Sequence, residues 1–381
     1  MRLLDRHVIR LFVVNHLILT VVLLGLFFLV DLIVDLDEFL QAGNRLKDNF
    51  GGGFFGSVAA TFATVVDYYA PLLLMIYVFF SGLIAVGAMG FTLNGLQRTR
   101  ELTAMLAGGI SLYRVALPIV AVGALLSVAT LPLQEFVLPN FATKLTRSKS
   151  DLKDGVTKQD ALLYIPDGAG RLWSAAGYDV ASGELMDVRV LERDERGLQS
   201  RVVTADQAVW REPASDGAAG ADASGRWELI QGFAVRPLSG LGEAEPVDGI
   251  PSRLSPKVLL ARRGALFPAV LSVRDLQRLR GNPAVVPAQR AVLKRTLWGR
   301  FSLVALNVLL LLMTLPYFLR PLPAGGIRPA LQAVAVALGA WGGGMLTLQA
   351  SPAALPPAVS AWLPVAVALP LAAWGLTRVR T

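Results

Sequence analysis

Four long stretches of the chain are free of charge. Leu11 to Val30, Tyr68 to Gln97, Val115 to Gln134 and Phe301 to Leu319 contain no Asp, Glu, Lys or Arg. Each is close to or above the roughly 20 residues that a helix needs to cross a bilayer. A fifth uncharged run, Pro329 to Thr377, is too long for one crossing, and Ser351-Pro352 with Pro356-Pro357 interrupts it. It reads as two helices, about 329–349 and 358–376. The pattern predicts six spans, three before and three after a long interruption. The first span follows basic residues, as a signal peptide would. Its apolar core is longer than the ~7–15 residues of a signal segment, and no small-x-small cleavage site follows Val30, so it is expected to be retained.

Between the two groups of spans the pattern becomes that of a soluble domain. Glu135 to Lys153 looks helical and leads away from the membrane. After Gly155 short alternating runs replace it: Gly183 to Glu192, then a turn at Arg193 to Gly197, then Leu198 to Trp210. A loop of Ala, Gly, Ser and Asp over Pro213 to Gly225 precedes a further strand from Trp227 to Val235. Strands at this spacing with no helical period indicate a β-sandwich or a jelly-roll-like sheet. The predicted fold is an α-helical membrane protein with six transmembrane helices, three plus three, carrying an inserted all-β domain. Its expected divisions are 1–134, 135–296 and 297–381.

Orientation follows from the basic residues of the short loops, which favour the cytoplasmic side. With the N-terminus inside, that side carries Arg2, Arg6, Arg10, Arg98, Arg100, Arg114, Arg320, Arg328, Arg378 and Arg380. The first outer loop carries only Arg45 and Lys47, and the last outer loop none. Both termini are therefore expected in the cytoplasm and the β-domain outside.

Composition agrees with this. The 381 residues are 54% apolar and 17% charged, against roughly 25% charged in soluble chains. The chain contains no cysteine and only two histidines, His7 and His16. Thiolate catalysis, Cys-type zinc and iron–sulfur chemistry are excluded, and no cofactor or metal is expected. No paired acids, Ser/His/Asp set or glycine-rich phosphate loop stands out in the β-domain, so a binding or docking role is expected there. No G-x-x-x-x-G-K-[ST] loop occurs, so any ATP hydrolysis must come from another chain. No nucleic-acid partner is expected.

The most informative segment lies between spans two and three, at about 94–109. Arg98 to Ala107 contains good helix formers, and Leu102, Met105 and Leu106 form an apolar stripe at helical spacing. Gly108-Gly109 ends this helix, and Ser111 can cap the next. The stripe must be covered. It either lies in the lipid interface or sits in a groove of a cytoplasmic partner, with Glu101 as polar anchor and Arg98 and Arg100 beside it.

The run Arg100-Glu-Leu-Thr-Ala-Met-Leu-Ala-Gly-Gly-Ile-Ser111 resembles the coupling-helix motif of the lipopolysaccharide-export permeases of the LptF/LptG type. Leu4-Asp5-Arg6-His7 resembles the family's Leu-Asp-Arg-Tyr start, and Glu135-Phe-Val-Leu-Pro139 its exit from the third helix. Arg196-Gly-Leu-Gln-Ser200 resembles a segment of its periplasmic domain, and Arg300 a pattern before its fourth span. The likeness covers nearly the whole chain and leans towards the LptG-like member. It implies a permease of the bacterial inner membrane with a periplasmic jelly-roll. The implied partners are a paralogous permease, a cytoplasmic ATPase dimer, periplasmic bridge proteins and lipopolysaccharide. It also implies lateral entry of the lipid between this chain's first span and the partner's fifth.

Charge distribution supplies candidate contacts for an anionic lipid. Ser255 to Arg300 holds ten basic residues against the single acid Asp275: Lys257, Arg262, Arg263, Arg274, Arg278, Arg280, Arg290, Lys294, Arg295 and Arg300. Such a collar attracts phosphorylated headgroups, at about 1 kcal/mol per basic residue near an anionic surface. It can equally be a solvated connector whose arginines snorkel. Lys294, Arg295 and Arg300, nearest the fourth span, are the candidates for a substrate entrance, with Arg45 and Lys47. The first span ends in Asp31, Asp35, Asp37 and Glu38, where the family's LptG-like members carry basic residues. Either the cations elsewhere compensate, the lipid is less phosphorylated, or the acids pair with those cations as a gate. Two other functions fit the topology less well. One is a mechanotransmission permease. The other is a membrane enzyme acting on lipid-linked sugars, for which Asp31, Asp35 and Glu38 are the only candidate acids.

Overall fold

The computed structural model describes residues 3–145, 161–179, 182–194, 199–212, 225–235, 244–256, 258–259, 267–319, 328–349 and 355–377. Several expectations fall outside these residues: the turn at 195–198, the loop at 213–224, the break at Ser351-Pro352, and Arg2, Lys257, Arg262, Arg263, Arg320, Arg378 and Arg380. The described residues contain six helices long and apolar enough to cross a membrane. The chain divides into two compact units: 1–34, 70–139 and 291–381 form the first, and 35–69 with 140–290 the second.

The helical unit is built from α1 (Leu3–Val34), the later part of α3 (Gly53–Arg98), α4 (Glu101–Ala107), α5 (Leu112–Pro132) and three C-terminal helices. The latter are α9 (Pro287–Phe318), α10 (Arg328–Gln349) and α11 (Pro357–Thr377). Val8, Phe12, Met89, Leu93, Leu102, Leu112, Val115, Leu310, Leu311, Ala333 and Ala372 share one buried apolar cluster. Several polar side chains of this unit are paired across helices, which offsets the cost of an apolar surrounding. Asn15 donates to Thr92 at 2.9 Å, Asn307 to Ser81 at 3.1 Å, Gln97 to the Phe318 carbonyl at 2.7 Å and Trp341 to the Phe79 carbonyl at 3.0 Å. Of the three glycines Gly342-Gly-Gly344 in α10, one meets a neighbouring helix closely. A Cβ on Gly344 would lie 2.7 Å from Leu306, whereas Gly342 and Gly343 have nothing within 4 Å.

Helix boundaries differ from the charge-free runs. At about 1.5 Å per residue, the 46 residues of α3 make it much longer than a bilayer core. It begins at Gly53 rather than Tyr68 and runs through Asp67, whose carboxylate is paired with Lys144, so the charge does not end the helix. Asp31 and Asp35 do not share one continuous helical face. The chain breaks at Asp35 (φ −115°, ψ 20°), and α2 (Leu36–Leu46) starts after it. Of the helix expected over Glu135 to Lys153, residues 146–153 lie outside the described residues, and the described part is a π-turn over Leu133–Val137, a 3₁₀ turn over Leu138–Phe141 and α6 (Ala142–Leu145).

Among the described residues, the second unit holds one antiparallel sheet of eight strands: β1 (Leu162–Pro166), β2 (Arg171–Asp179), β3 (Glu184–Arg193), β4 (Gln199–Arg211), β5 (Gly225–Ile230), β6 (Phe233–Val235), β7 (Glu245–Pro246) and β8 (Gly249–Ser252). The order is β1-β2-β3-β4-β5-β8, and β6 pairs with β4 and β7. The long β4 changes partner along its length, with Gln207–Arg211 facing β5 and Val202–Thr204 facing β6. The expected strand from Trp227 to Val235 is therefore two strands. Gln231, at φ 55°, turns the chain between them.

Alternate residues of β2 to β5 and β8 are buried, including Trp173, Ala175, Leu185, Val188, Val190, Val203, Ala205, Trp227 and Ile250. Trp227 packs against Trp210 and Trp173, with centroids 5.1 and 6.1 Å away, and its Nε1 donates to the Leu254 carbonyl at 2.9 Å. After the sheet come α7 (Phe267–Val270) and α8 (Val273–Gly281). The Ser272 side chain caps α8 by accepting from the Asp275 amide at 3.1 Å.

Trp227→Ala should remove this cluster's centre at a cost of about 3–5 kcal/mol. Calorimetry of the full chain in detergent is expected to show a downshifted transition. An unchanged melting profile would contradict the packing described.

Candidate functional site

Helix α4 links the end of α3 to the start of α5, and its position is determined by its own residues. Arg100, at φ 59° in the left-handed region, breaks α3 from α4. The expected helix from Arg98 is thus split, and only Glu101–Ala107 is helical as α4. At the other end Gly109 has φ 78°, and the Gly109 and Ile110 amides donate to the carbonyls of Leu106 (2.9 Å) and Met105 (3.0 Å). This closes the helix as a glycine C-cap does. Ser111 occupies the N-cap position of α5, as expected, but its side chain makes no capping bond; the Arg114 and Val115 amides bond to its carbonyl instead.

The stripe expected to need lipid or a partner is covered mainly by this chain. Leu102 is buried in the helical core, and Met105 and Leu106 pack partly buried against the same cluster. What α4 leaves exposed is the other face, with Thr103, Ala104 and Ala107, flanked by exposed Arg98, Thr99 and Arg100. Glu101 stands between the two faces. Its carboxylate lies 2.9 Å from His7 Nε2 and accepts from the Thr99 hydroxyl at 3.0 Å. Two residues earlier on α1, Asp5 is paired with Arg114 at 3.1 Å.

These contacts were not legible beforehand. His7 and Asp5 stood out only within the motif Leu4-Asp5-Arg6-His7, and Arg114 only as a loop cation. Spacing along the chain says nothing about a meeting across 94 residues.

The candidate lipid contacts lie in different surroundings. Arg45, in the last turn of α2, and Lys47, in the 3₁₀ turn over Lys47–Phe50, are exposed in the second unit. On α8, Arg274, Arg278 and Arg280 are exposed opposite buried Leu276 and Leu279, while Arg290 is half-buried and donates to the Asn282 carbonyl at 3.3 Å. On α9, Lys294 is exposed and Arg295 half-buried. Arg300 differs from both: it is only 4% exposed, and its guanidinium lies 3.3 Å from the Glu135 carboxylate. Glu135 is presented by the π-turn after α5, an irregularity that recurs at functional positions. Among the described residues, no group of three or more His, Asp or Glu could hold a metal ion.

A family model described as the lipopolysaccharide export system permease LptF/LptG matches residues 6–378. No curated protein matches the chain.

A buried ion pair is costly to break on one side, by about 3–5 kcal/mol, and often neutral to replace as a whole. Arg300→Ala is therefore expected to lower the melting temperature of the detergent-solubilised chain more than the double variant Arg300→Met/Glu135→Leu. Equal loss in both, or none in the single variant, would remove the pair from the account.

Proposed function

The chain belongs to the lipopolysaccharide export permease family LptF/LptG, and from that membership we propose that it is one permease subunit of an ATP-driven exporter. Family membership and six membrane-spanning helices make it a multi-pass inner-membrane permease. In our reading a paralogous permease completes the transport path. A cytoplasmic ATPase dimer supplies the energy, and the β-sheet unit, on the periplasmic side, passes lipopolysaccharide to a bridge protein.

The observation that carries this reading is the build of α4. A seven-residue helix is too short to be stable alone, since isolated helices below about 12–15 residues are marginal in water. It is held by burying Leu102, Met105 and Leu106 against the helical core, and its opposite face is left open. Such a helix transmits a push: force on the exposed face passes into the packed helices behind it. A nucleotide-driven motor moves a permease only when the two states of the motor favour different arrangements of the helices. Glu101 offers the motor a carboxylate, and Arg98 and Arg100 offer cations beside it.

The basic residues supply the other half of the reading. Arg45, Lys47, Lys294 and Arg295 are the proposed contacts for the phosphates of the lipid. Arg300 is proposed to act with Glu135 as a partnered cation at the start of the fourth span rather than as an open one.

Two tests separate these roles. With the full complex in proteoliposomes, Glu101→Ala is expected to lower ATPase association or ATP-dependent lipid release while lipid binding to the permease remains. The double variant Lys294→Glu/Arg295→Glu is expected to weaken lipopolysaccharide binding by about tenfold or more, since each basic residue near an anionic surface contributes about 1 kcal/mol. Unchanged association and release in the first variant would discard the coupling role. Unchanged binding in the second would discard the entrance.

A further inference from the structure

Helix α10 packs through its smallest residues. Its buried positions are Ala333, Ala337 and Gly344, while Leu331, Val334, Leu338 and Leu346 are exposed. Its approaches to α9 and α11 also run over glycine. A Cβ on Gly344 would lie 2.7 Å from Leu306 of α9 and 3.6 Å from Pro364 of α11, and a Cβ on Gly299 of α9 would lie 3.0 Å from Leu348. Small residues let helices lie close. They also interlock shallowly, since ridges of larger side chains are what key one helix into the grooves of another.

Trp341 departs from this pattern. Its indole Nε1 donates to the Phe79 carbonyl of α3 at 3.0 Å, and its ring lies against Phe80, with centroids 4.6 Å apart and planes at 35°. Helix α3 is bonded to other spans as well. Asn15 of α1 donates to Thr92, Asn307 of α9 to Ser81, and Gln97 to the Phe318 carbonyl at the end of α9. At its own end α3 runs into the coupling segment. Leu93 and Leu96 share one buried cluster with Leu102 of α4, and the Arg100 amide donates to the Gln97 carbonyl at 3.1 Å. Packing and backbone thus join α4 to the last turns of α3.

We propose that Trp341 is a positioning residue that hitches α10 to α3, so that α10 follows α3 when α4 is displaced. This rests on the reading of α4 as the motor's contact. The two parts of the contact act differently. The stack on Phe80 resists separation of the helices, and the bond to the Phe79 carbonyl fixes the level of the indole along α3. A donor in an apolar surrounding has no water to turn to, so sliding α10 past α3 strands the indole N–H. The shallow seams with α9 and α11 carry no such penalty and adjust as α10 moves.

The chain contains no cysteine, so pairs of spin labels can be placed in it without altering the background. In the complex with its ATPase, the other subunits being cysteine-free, Leu346→Cys with Leu125→Cys reports α10 against α5, and Thr103→Cys with Leu125→Cys reports α4. Distances are read without nucleotide and after trapping with ATP and vanadate. Both pairs are expected to shift on trapping. Trp341→Ala should abolish the α10 shift and leave that of α4. Trp341→Phe, which keeps a ring but loses the donor, should diminish it. Asn307→Ala, which cuts the bond between α9 and α3, should leave it in place.

An undiminished α10 shift in Trp341→Ala or Trp341→Phe overturns the hitch while the motor contact stands. So does its loss in Asn307→Ala, which would route the movement through α9, or its absence from the unaltered protein. No shift of the α4 pair in the unaltered protein overturns the motor contact and the hitch with it.

Discussion

Burial of Leu102 is the contact on which the functional arrangement depends. The helix that carries it has too few internal hydrogen bonds to persist alone. The chain enters it through a strained left-handed residue, Arg100, and leaves it through Gly109. Driving Leu102 into the cluster of Val8, Phe12, Leu112 and Val115 brings the start of α1, the end of α3 and the start of α5 to one place. Everything exposed there, from Arg98 to Ala107, is then presented on a fixed base.

The two units meet different physical demands. In the helical unit, buried and half-buried polar side chains such as Asn15, Gln97, Asn307 and Trp341 reach across helices, and Ser127, Thr130, Ser302 and Thr314 bond to carbonyls of their own helix, because an unpaired polar group in an apolar surrounding is costly. In the sheet unit the alternation of buried and exposed positions does the same work for strands, and tryptophans fill its interior. The long β4 pairs with β5 along one part of its length and with β6 along another.

Much of this was legible because it is recorded locally. Charge-free runs locate spans, as the six helices bear out, and alternation locates β3 and β4 nearly to the residue. The six-span topology with one large insertion, together with short likenesses such as Arg100 to Ser111, resembles the LptF/LptG family, and the family match over residues 6–378 supports it. What was not legible depends on tertiary partners. Asp67 seemed to end a span, yet Lys144 takes up its charge and the helix continues. Arg300 read as an open cation, yet it is buried beside Glu135, 165 residues away. The apolar stripe of α4 was identified, but whether lipid, a partner or the chain itself covers it was not written in its period. The foot of α1 was hidden for the same reason.

The central claim is that a motor outside this chain works it through the open face of α4. Photo-crosslinking from a probe placed at Thr103, in membranes containing the whole transport complex, tests that contact directly. The account predicts an adduct with the ATPase subunit that changes in yield between nucleotide-free and ATP-trapped states. Adducts with lipid alone, or an ATPase adduct formed only from the sheet unit, would contradict it.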